Sequence, residues 1–209
     1  MFLVTGTDTG VGKTFVTSSL VSSLREKNIN AVAYKIVETG CSPDCEDAKK
    51  LSEASGQDLL PIYAFKNPLA PAVAADIEGI KISVDKIVGK AREISEKYDI
   101  VFFEGAGGIL VPITWNFTFL DLAKTLNTEV IIIALNNLGV LNHTLLTVKA
   151  CQVEGVKVRG IVLNMIGEFD ESVKTNLHSL RKLLPDISVV PFRNPADSYN
   201  CLKAFSLIT

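Results

Sequence analysis

A glycine-rich segment near the start of the chain constrains the fold more than any other feature. It reads Gly-Thr-Asp-Thr-Gly-Val-Gly-Lys-Thr over Gly6–Thr14, directly after the apolar run Phe2–Thr5 and before an amphipathic pattern at Lys13–Lys27. Glycines in such a segment let backbone N–H groups turn toward an anion, and the following helix N-terminus adds the positive end of its dipole. The order strand, loop, helix is the context of a phosphate-binding P-loop. The segment therefore predicts a nucleotide site in an α/β fold.

Strand-like apolar runs and helical patterns alternate along the rest of the chain. This alternation predicts a three-layer, P-loop NTPase-like α/β fold, with a mainly parallel sheet and helices on both faces. The chain is 47% hydrophobic but only 7% aromatic, as expected for strands buried on both faces. The segment 61–71 has three prolines and is expected to be irregular. We expect a single domain over 1–209, with strands at 2–5, 31–37, 100–103, 129–135, 158–163 and 187–190, and helices at 13–27, 46–54, 83–97, 119–126, 141–154 and 170–184.

Charge and hydropathy argue against several classes of protein. The formal net charge is −2 and no basic block occurs, so we expect neither nucleic-acid nor membrane binding. The run Val130–Leu135 is too short to span a bilayer, and Phe2–Thr5 lacks the basic leader of a signal peptide, which favours the cytoplasm. Cys41 and Cys45 could contribute to a metal site, but their spacing matches no zinc or redox motif and favours reduced thiols.

The residue types within the P-loop predict their own roles. Lys13 can reach the β- and γ-phosphates of ATP, and the Thr14 hydroxyl can ligate Mg²⁺. Five residues rather than four separate Gly6 from Gly12, and Thr7 stands at the usual first-glycine position. A glycine-rich turn without a ligand is the alternative. The loop by itself names no reaction, because switches, motors and transferases share it.

Charged residues at the ends of two other predicted strands extend this site. Glu104 follows an apolar strand at the carboxyl edge of the sheet, where it can hold Mg²⁺ directly or through water, or cap the next segment. Lys35 ends the second strand, so its ammonium is expected in the same cleft as Lys13, where it could serve an anionic acceptor or a transferring phosphoryl group. A surface lysine is the alternative. Asp47 is either a further metal-side carboxylate or a solvated helix residue.

The ordered combination of motifs resembles the dethiobiotin synthetase family along nearly the whole chain. The motifs are 6–14, 34–40, 104–108 with Pro112 and 117–119, and 138–143, and Asn164 closes a strand as the family's adenine-reading asparagine does. The resemblance implies ATP- and Mg²⁺-dependent closure of the ureido ring of dethiobiotin from diaminopelargonic acid and CO₂, in biotin biosynthesis. It implies a carbamate that is phosphorylated to a carbamic–phosphoric mixed anhydride. Ile36, Glu38 and Ala72 depart from the family's usual residues.

The resemblance also implies a role for each site residue. Lys35, Lys13 and Thr9 would act on the transferring phosphoryl group and the carbamate, and the metal would be held by Thr14, Asp47 and Glu104. The nucleotide would be bound by Gly10, Val11, Gly12, Lys13, Thr14, Phe15, Asn164 and Pro191. The substrate would contact Thr39 and Gly107. The family works as a homodimer with its active sites at the subunit interface, so Leu141 and Asn142 would bind the substrate carboxylate of the neighbouring subunit.

Two other functions share this fold. A ParA- or MinD-like nucleotide switch usually carries an additional lysine near the start of the P-loop, where this chain has Gly6–Thr9. A ligase of the cobyrinic acid synthase type usually carries a glutaminase domain with a nucleophilic cysteine, and Cys201 has no suitable sequence setting. Both alternatives are therefore less favoured than the dethiobiotin synthetase resemblance.

Overall fold

The alternating pattern folds into a parallel sheet between two layers of helices. A computed structural model describes residues 1–167 and 171–209. Its strands are β1 (Phe2–Gly6), β2 (Ala31–Lys35), β3 (Val37–Thr39), β4 (Tyr63–Phe65), β5 (Ile100–Gly108), β6 (Pro112–Thr114), β7 (Phe117–Thr118), β8 (Glu129–Leu135), β9 (Val158–Asn164) and β10 (Val189–Phe192). Its helices are α1 (Lys13–Glu26), α2 (Glu46–Ser55), α3 (Pro71–Glu78), α4 (Val84–Ser95), α5 (Phe119–Thr125), α6 (Val140–Val153), α7 (Val173–Leu183) and α8 (Ser198–Ala204), with a short 3₁₀ turn at Pro195–Asp197.

The main sheet has six strands within the described residues, in the order β10-β9-β8-β1-β5-β2. Every neighbouring pair in it is parallel. The register of β2 on β5 sets Lys35 opposite Glu104, and the register of β1 on β5 sets Val4 opposite Glu104. The carboxyl ends of these three strands therefore meet at one edge, where ligands bind in open α/β sheets.

The core lies on both faces of the sheet, because successive strand residues point to opposite sides. Leu3 and Phe103 belong to one buried cluster, which α4, α5, α6 and α7 help to cover. Val4 and Phe102 belong to the other, which α1, α2 and α8 help to cover. This arrangement confirms the predicted three-layer α/β fold.

The structure corrects several predicted boundaries near the site. The second strand of the main sheet ends at Lys35 rather than at residue 37. The Ile36 N–H still bonds to the Glu104 carbonyl oxygen (3.2 Å), but the Ile36 carbonyl oxygen accepts from the Ile62 N–H (3.0 Å), because the chain turns away from β5 at this residue. Residues Val37–Thr39 pair instead with Tyr63–Phe65, so the prediction that the whole of 61–71 is irregular is wrong. The fifth strand continues to Gly108. The last predicted helix was placed from residue 170, which lies outside the described residues.

A disulfide joins Cys41 and Cys45, so the prediction of two reduced thiols at these positions is wrong. Their Cα atoms lie 4.4 Å apart because the loop after β3 folds straight back into α2, and this distance is within disulfide range. The alternative of a metal held by both thiolates does not apply to this bonded form. Cys151 and Cys201 are free and buried. Among the described helices, none is both long enough and apolar enough to cross a membrane.

Candidate active site

The phosphate loop joins the central strand β1 to α1. Gly10 and Gly12 have φ values of +76° and +85°, a left-handed backbone that side chains other than glycine rarely adopt. A Cβ atom at Gly12 would also clash with Nδ2 of Asn164, because the loop and β9 approach closely there. These glycines give the loop the shape in which its N–H groups can converge on a phosphate.

Lys13 is buried at the first position of α1, facing the cleft above the loop. Its Nζ donates a hydrogen bond to the Asp8 carbonyl oxygen at 3.2 Å. Burial, and secondarily the positive charge of Lys35, lower the pKa of Lys13 to about 8. Its ammonium is thus incompletely compensated by the protein, and a phosphate group would supply the missing negative charge.

Lys35, unlike Lys13, is paired with two carboxylates of the protein. Its Nζ lies 2.7 Å from Oδ2 of Asp47 and 2.8 Å from Oε1 of Glu104, and the side chain is 3% exposed. Burial by itself would lower the pKa of Lys35, but the charges and hydrogen bonds of Glu104 and Asp47 together outweigh it and raise the pKa. The interpretation of Lys35 as a surface lysine is therefore wrong.

Glu104 connects this ion pair to the phosphate loop. Its Oε1 accepts hydrogen bonds from Lys35 and from the Thr14 hydroxyl, the latter at 2.7 Å. Its Oε2 is buried and has no hydrogen-bond partner among the described residues. An unpaired buried carboxylate oxygen is costly, so it marks a position for a further ligand. Glu104, Thr14 and Asp47 offer the oxygen donors that Mg²⁺ prefers, so this set fits the ion.

Asp47 reaches the ion pair from the first turn of α2. Burial would raise the pKa of Asp47, but the charge and hydrogen bond of Lys35, the Thr14 hydroxyl and Lys13 together hold it below its ordinary value. Glu38, on β3, accepts hydrogen bonds from the backbone N–H groups of Asp47 and Ala48, both at 2.8 Å. Burial raises the pKa of Glu38, although these two N–H groups oppose the rise. The sequence marks Glu38 only as a departure from the family's usual residues and does not predict this contact.

The cleft over these residues has a volume of about 590 Å³. Most of the residues predicted for the site line it, namely Thr9, Gly10, Gly12, Lys13, Thr14, Phe15, Lys35, Thr39, Asp47 and Gly107. The wall that the sequence did not predict is formed by Glu38, Ala106, Val111 and the segment 68–71. The proline cluster that marked this segment as irregular is the one signal that could have drawn attention to it.

The residues predicted to hold the nucleotide base lie beside the start of α1. Asn164 is fully buried, its Nδ2 donates to the Val11 carbonyl oxygen at 2.9 Å, and its Oδ1 lacks a partner among the described residues. Phe15 is 36% exposed and meets Phe192 edge-on, with ring centroids 5.6 Å apart. Pro191 lies in β10, beside Leu163 of β9.

Leu141 and Asn142 lie in the first turn of α6, away from the cleft. The helix begins after Gly139, whose φ is +93°; Leu141 is half-buried and Asn142 is exposed. His143, from the same turn, lines a separate depression with Asp8 and Leu110. A single copy of the chain therefore does not bring Leu141 or Asn142 to its own cleft, and their role stays a prediction.

Comparison with known proteins decides the family. A family model described as an AAA domain (AAA_26) matches residues 1–194. The chain is 44% identical over 186 residues to an ATP-dependent dethiobiotin synthetase BioD of Anaeromyxobacter dehalogenans, covering 86% of this chain and 83% of that one. It is 38% identical over 196 residues to the protein of that name from Aquifex aeolicus, covering 92% of this chain and 87% of that one. The chain belongs to the dethiobiotin synthetase family.

Solved structures place this member of the dethiobiotin synthetase family in a wider fold. A putative plasmid partition protein from Borrelia burgdorferi, bound to AMPPNP, superposes with a TM-score of 0.64 at 14% identity, covering 99% of this chain and 97% of that one. A ParA family ATPase from Chlorobium tepidum superposes with a TM-score of 0.56, also at 14% identity, covering 98% and 90%. At this identity the likeness concerns the fold alone, so it does not favour a switch over a synthetase.

Proposed function

We propose that this chain closes the ureido ring of dethiobiotin from diaminopelargonic acid, CO₂ and ATP, as a step of biotin biosynthesis. One observation carries the proposal beyond family membership. A second buried lysine, Lys35, stands in the same cleft as the P-loop lysine and is held there by two carboxylates at 2.7 and 2.8 Å. A ParA- or MinD-like switch usually carries its additional lysine within the P-loop, whereas this second lysine ends β2, where it can serve an anionic acceptor of the phosphoryl group.

The chemistry proceeds in three steps on one diamine. One amine adds to CO₂ and loses a proton, which gives a carbamate. A carbamate oxygen attacks the γ-phosphorus of ATP, the bond to the β-phosphate oxygen breaks, and ADP leaves. The second amine then attacks the carbonyl carbon of the mixed anhydride, and inorganic phosphate leaves as the ring closes. The last step needs little beyond positioning, because nucleophile and electrophile belong to one molecule.

Residues of the cleft have the chemistry that these steps require. Lys13 and Lys35 would offset the negative charge on the transferring phosphoryl group, and Thr9 and Thr39 would orient the carbamate through their hydroxyls. Mg²⁺ held by Thr14, Asp47 and Glu104 would neutralise the phosphate oxygens of ATP. Gly107 leaves space on the substrate side of the cleft.

The remaining parts of the proposal concern the nucleotide base and the assembly. The loop residues Gly10–Phe15 would bind the phosphates of ATP, while Asn164, with its free Oδ1, and Pro191 would meet the base. A homodimer would bring the N–H groups at Leu141 and Asn142 to the partner's substrate, since a helix N-terminus suits a carboxylate. We further propose that residues 1–209 form one domain and that the enzyme is cytoplasmic.

The test is phosphate release from ATP with Mg²⁺ and bicarbonate, with and without diaminopelargonic acid, while dethiobiotin is followed by mass. We expect release that requires the diamine and equals ring formation mole for mole. Release that ignores the diamine and forms no product would overturn the proposal in favour of a nucleotide switch. A Lys13→Ala variant, measured in parallel, identifies release from contaminating ATPases.

A further inference from the structure

Glu38 is a buried carboxylate that touches the backbone of α2 instead of a charged side chain. It is 5% exposed, and its Oε1 and Oε2 accept one hydrogen bond each, from the N–H groups of Asp47 and Ala48 at 2.8 Å. The first N–H groups of any helix lack partners within the helix. The residue before the helix, Cys45, contributes no side-chain cap, so Glu38 takes over this function from a neighbouring strand.

The location of this contact ties it to the ion pair. Asp47, whose N–H bonds to Glu38, is the residue whose carboxylate reaches Lys35 at 2.7 Å. Lys35 ends β2 and Glu38 lies on β3, so the same stretch of chain supplies both the cation that Asp47 meets and the acceptor that holds its backbone. The Asp47 side chain is 39% exposed, and packing alone therefore does not fix it.

We infer that Glu38 is a positioning residue, which fixes the first turn of α2 so that the Asp47 carboxylate faces Lys35 and the Mg²⁺ side of the cleft. The inference rests on the proposed function for the identity of the metal. In metalloproteins, residues that orient a metal ligand without touching the metal are important for affinity. Mutating such a residue typically lowers metal affinity about 10- to 100-fold. Glu38 also lines the cleft, but both of its carboxylate oxygens are engaged by the α2 backbone, so we assign it no catalytic role.

The chemistry of the contact explains why a carboxylate is suited to it. Two N–H donors require two acceptors, and a glutamine of the same size would present an NH₂ group to one of them. A carboxylate at a helix N-terminus also interacts favourably with the helix dipole. Glu38→Gln should therefore preserve the packing while it loosens one of the two contacts, and Glu38→Ala should remove both.

The experiment measures ATP affinity with and without Mg²⁺ for wild type, Glu38→Gln and Glu38→Ala, together with amide hydrogen exchange over residues 46–49. We expect the enhancement of ATP affinity by Mg²⁺ to fall by about tenfold in Glu38→Ala and by less in Glu38→Gln, with metal-free affinity unchanged. Exchange at Asp47 and Ala48 should accelerate in both variants.

A matched control is available in another helix. Asp121 accepts the Thr118 N–H at 2.8 Å at the start of α5, which supplies no residue of the cleft. Asp121→Ala should accelerate exchange in its own first turn and leave the Mg²⁺ enhancement as in wild type. This control distinguishes a general effect of losing a helix cap from an effect on Asp47.

Two results would overturn the inference. The first is faster exchange at Asp47 and Ala48 with an unchanged Mg²⁺ enhancement, since Glu38 would then be a helix cap only. The second is a wild type whose ATP affinity does not respond to Mg²⁺. Both readouts are independent of the diamine, so failure to form dethiobiotin would count against the proposed function and not against Glu38. If Glu38→Ala does not fold, the shape-preserving Glu38→Gln decides the question.

Discussion

The two lysines of the cleft lie on the same edge of the sheet, yet their surroundings differ in kind. Lys13 donates to a peptide carbonyl oxygen, and burial lowers its pKa to about 8. Lys35 is held by Asp47 and Glu104, whose charges raise its pKa. Among the described residues, the charge of Lys13 thus lacks an ion-paired carboxylate partner, whereas the charge of Lys35 is already compensated by two carboxylates. A negatively charged ligand should therefore stabilise the Lys13 side of the cleft most. Lys35 is already held in place by two carboxylates of the protein, without a ligand.

The largest expected effect is the loss of phosphoryl transfer when Lys13 is replaced. Replacing Lys13 with alanine removes the cation closest to the phosphate loop, and phosphoryl transfer from ATP should fall by about 10³-fold or more. Diamine-dependent phosphate release measures this effect. Lys27→Ala, at the exposed far end of α1, is the matched control and should retain activity. A Lys13→Ala rate within tenfold of wild type would contradict the comparison between the two lysines.

Replacing Lys35 should lower both the stability of the protein and the rate of phosphoryl transfer. Lys35→Ala leaves Glu104 buried without its cation, which should lower the free energy of unfolding by about 3–5 kcal/mol, as for other broken buried ion pairs. Phosphoryl transfer should fall by about 100-fold, with a smaller change in ATP affinity. Urea unfolding and ATP titration measure the two effects.

A double variant separates the two consequences of losing Lys35. Lys35→Met with Glu104→Gln removes the unpaired charge, so it should recover most of the lost stability and none of the activity. A loss of ATP affinity in Lys35→Ala as large as the loss of rate would argue that this lysine binds ATP and does not act in the transfer step.

The pH dependence of stability should reveal the charge buried at Lys13. Its pKa in the folded chain is about 8, against an ordinary value of 10.5, so the folded chain binds fewer protons than the unfolded chain between these values. Stability from this group therefore increases as the pH rises from about 8 to 10.5. Without nucleotide, Lys13→Met should exceed wild type in unfolding free energy by on the order of 3 kcal/mol at pH 7, and this gain should shrink as the pH rises.

Comparison at each pH isolates Lys13 from other groups that titrate nearby. Burial raises the pKa of the Cys151 thiol to about 11 and that of Cys201 to about 12, so both thiols reduce stability at high pH in either protein. Lys35 does not interfere, because its pKa is raised and its contribution is constant below 10.5. Chemical unfolding of both proteins from pH 7 to 10 measures the difference. A difference that is independent of pH would contradict the depressed pKa of Lys13.

The smallest expected effect concerns the disulfide on the Lys35 side. The Cys41–Cys45 bond closes a short loop next to α2, and its reduction should lower the unfolding free energy by about 2 kcal/mol. Unfolding curves with and without dithiothreitol measure the loss. Cys41→Ser with Cys45→Ser is the control, and reductant should leave its curve unchanged. An identical response of both proteins to reductant would mean that the bond does not contribute to stability.

The difference between the two sides also explains what the sequence could predict. The phosphate loop is contiguous, so its residues Gly10, Gly12 and Lys13 could be located from their order alone. Lys35 and Glu104 could be placed at one edge because each ends an apolar run, and parallel strands bring their carboxyl ends together. The fold class followed from the same alternation of strands and helices.

Features that depend on how loops return to the sheet could not be predicted. The contact of Glu38 with Asp47 requires the loop after β3 to fold back onto that strand. The same turn brings Cys41 close to Cys45. The wall at 68–71 depends on where α3 packs. Leu141 and Asn142 lie outside the cleft of their own chain, so their predicted role requires a second copy and cannot be judged from one fold.

The position of β1 in the sheet has a consequence for how the chain folds as it is made. This strand precedes both of its neighbours, β5 and β8, in the chain, so residues up to 135 must be synthesised before both of its edges can be paired. The contacts of the phosphate loop are completed later still, because the Val11 carbonyl oxygen accepts a hydrogen bond from Asn164, 153 residues further along the chain. Such distant partners slow folding and leave apolar edges exposed in the meantime. A nascent chain of this protein therefore carries a complete phosphate-binding sequence long before it carries a finished phosphate-binding site.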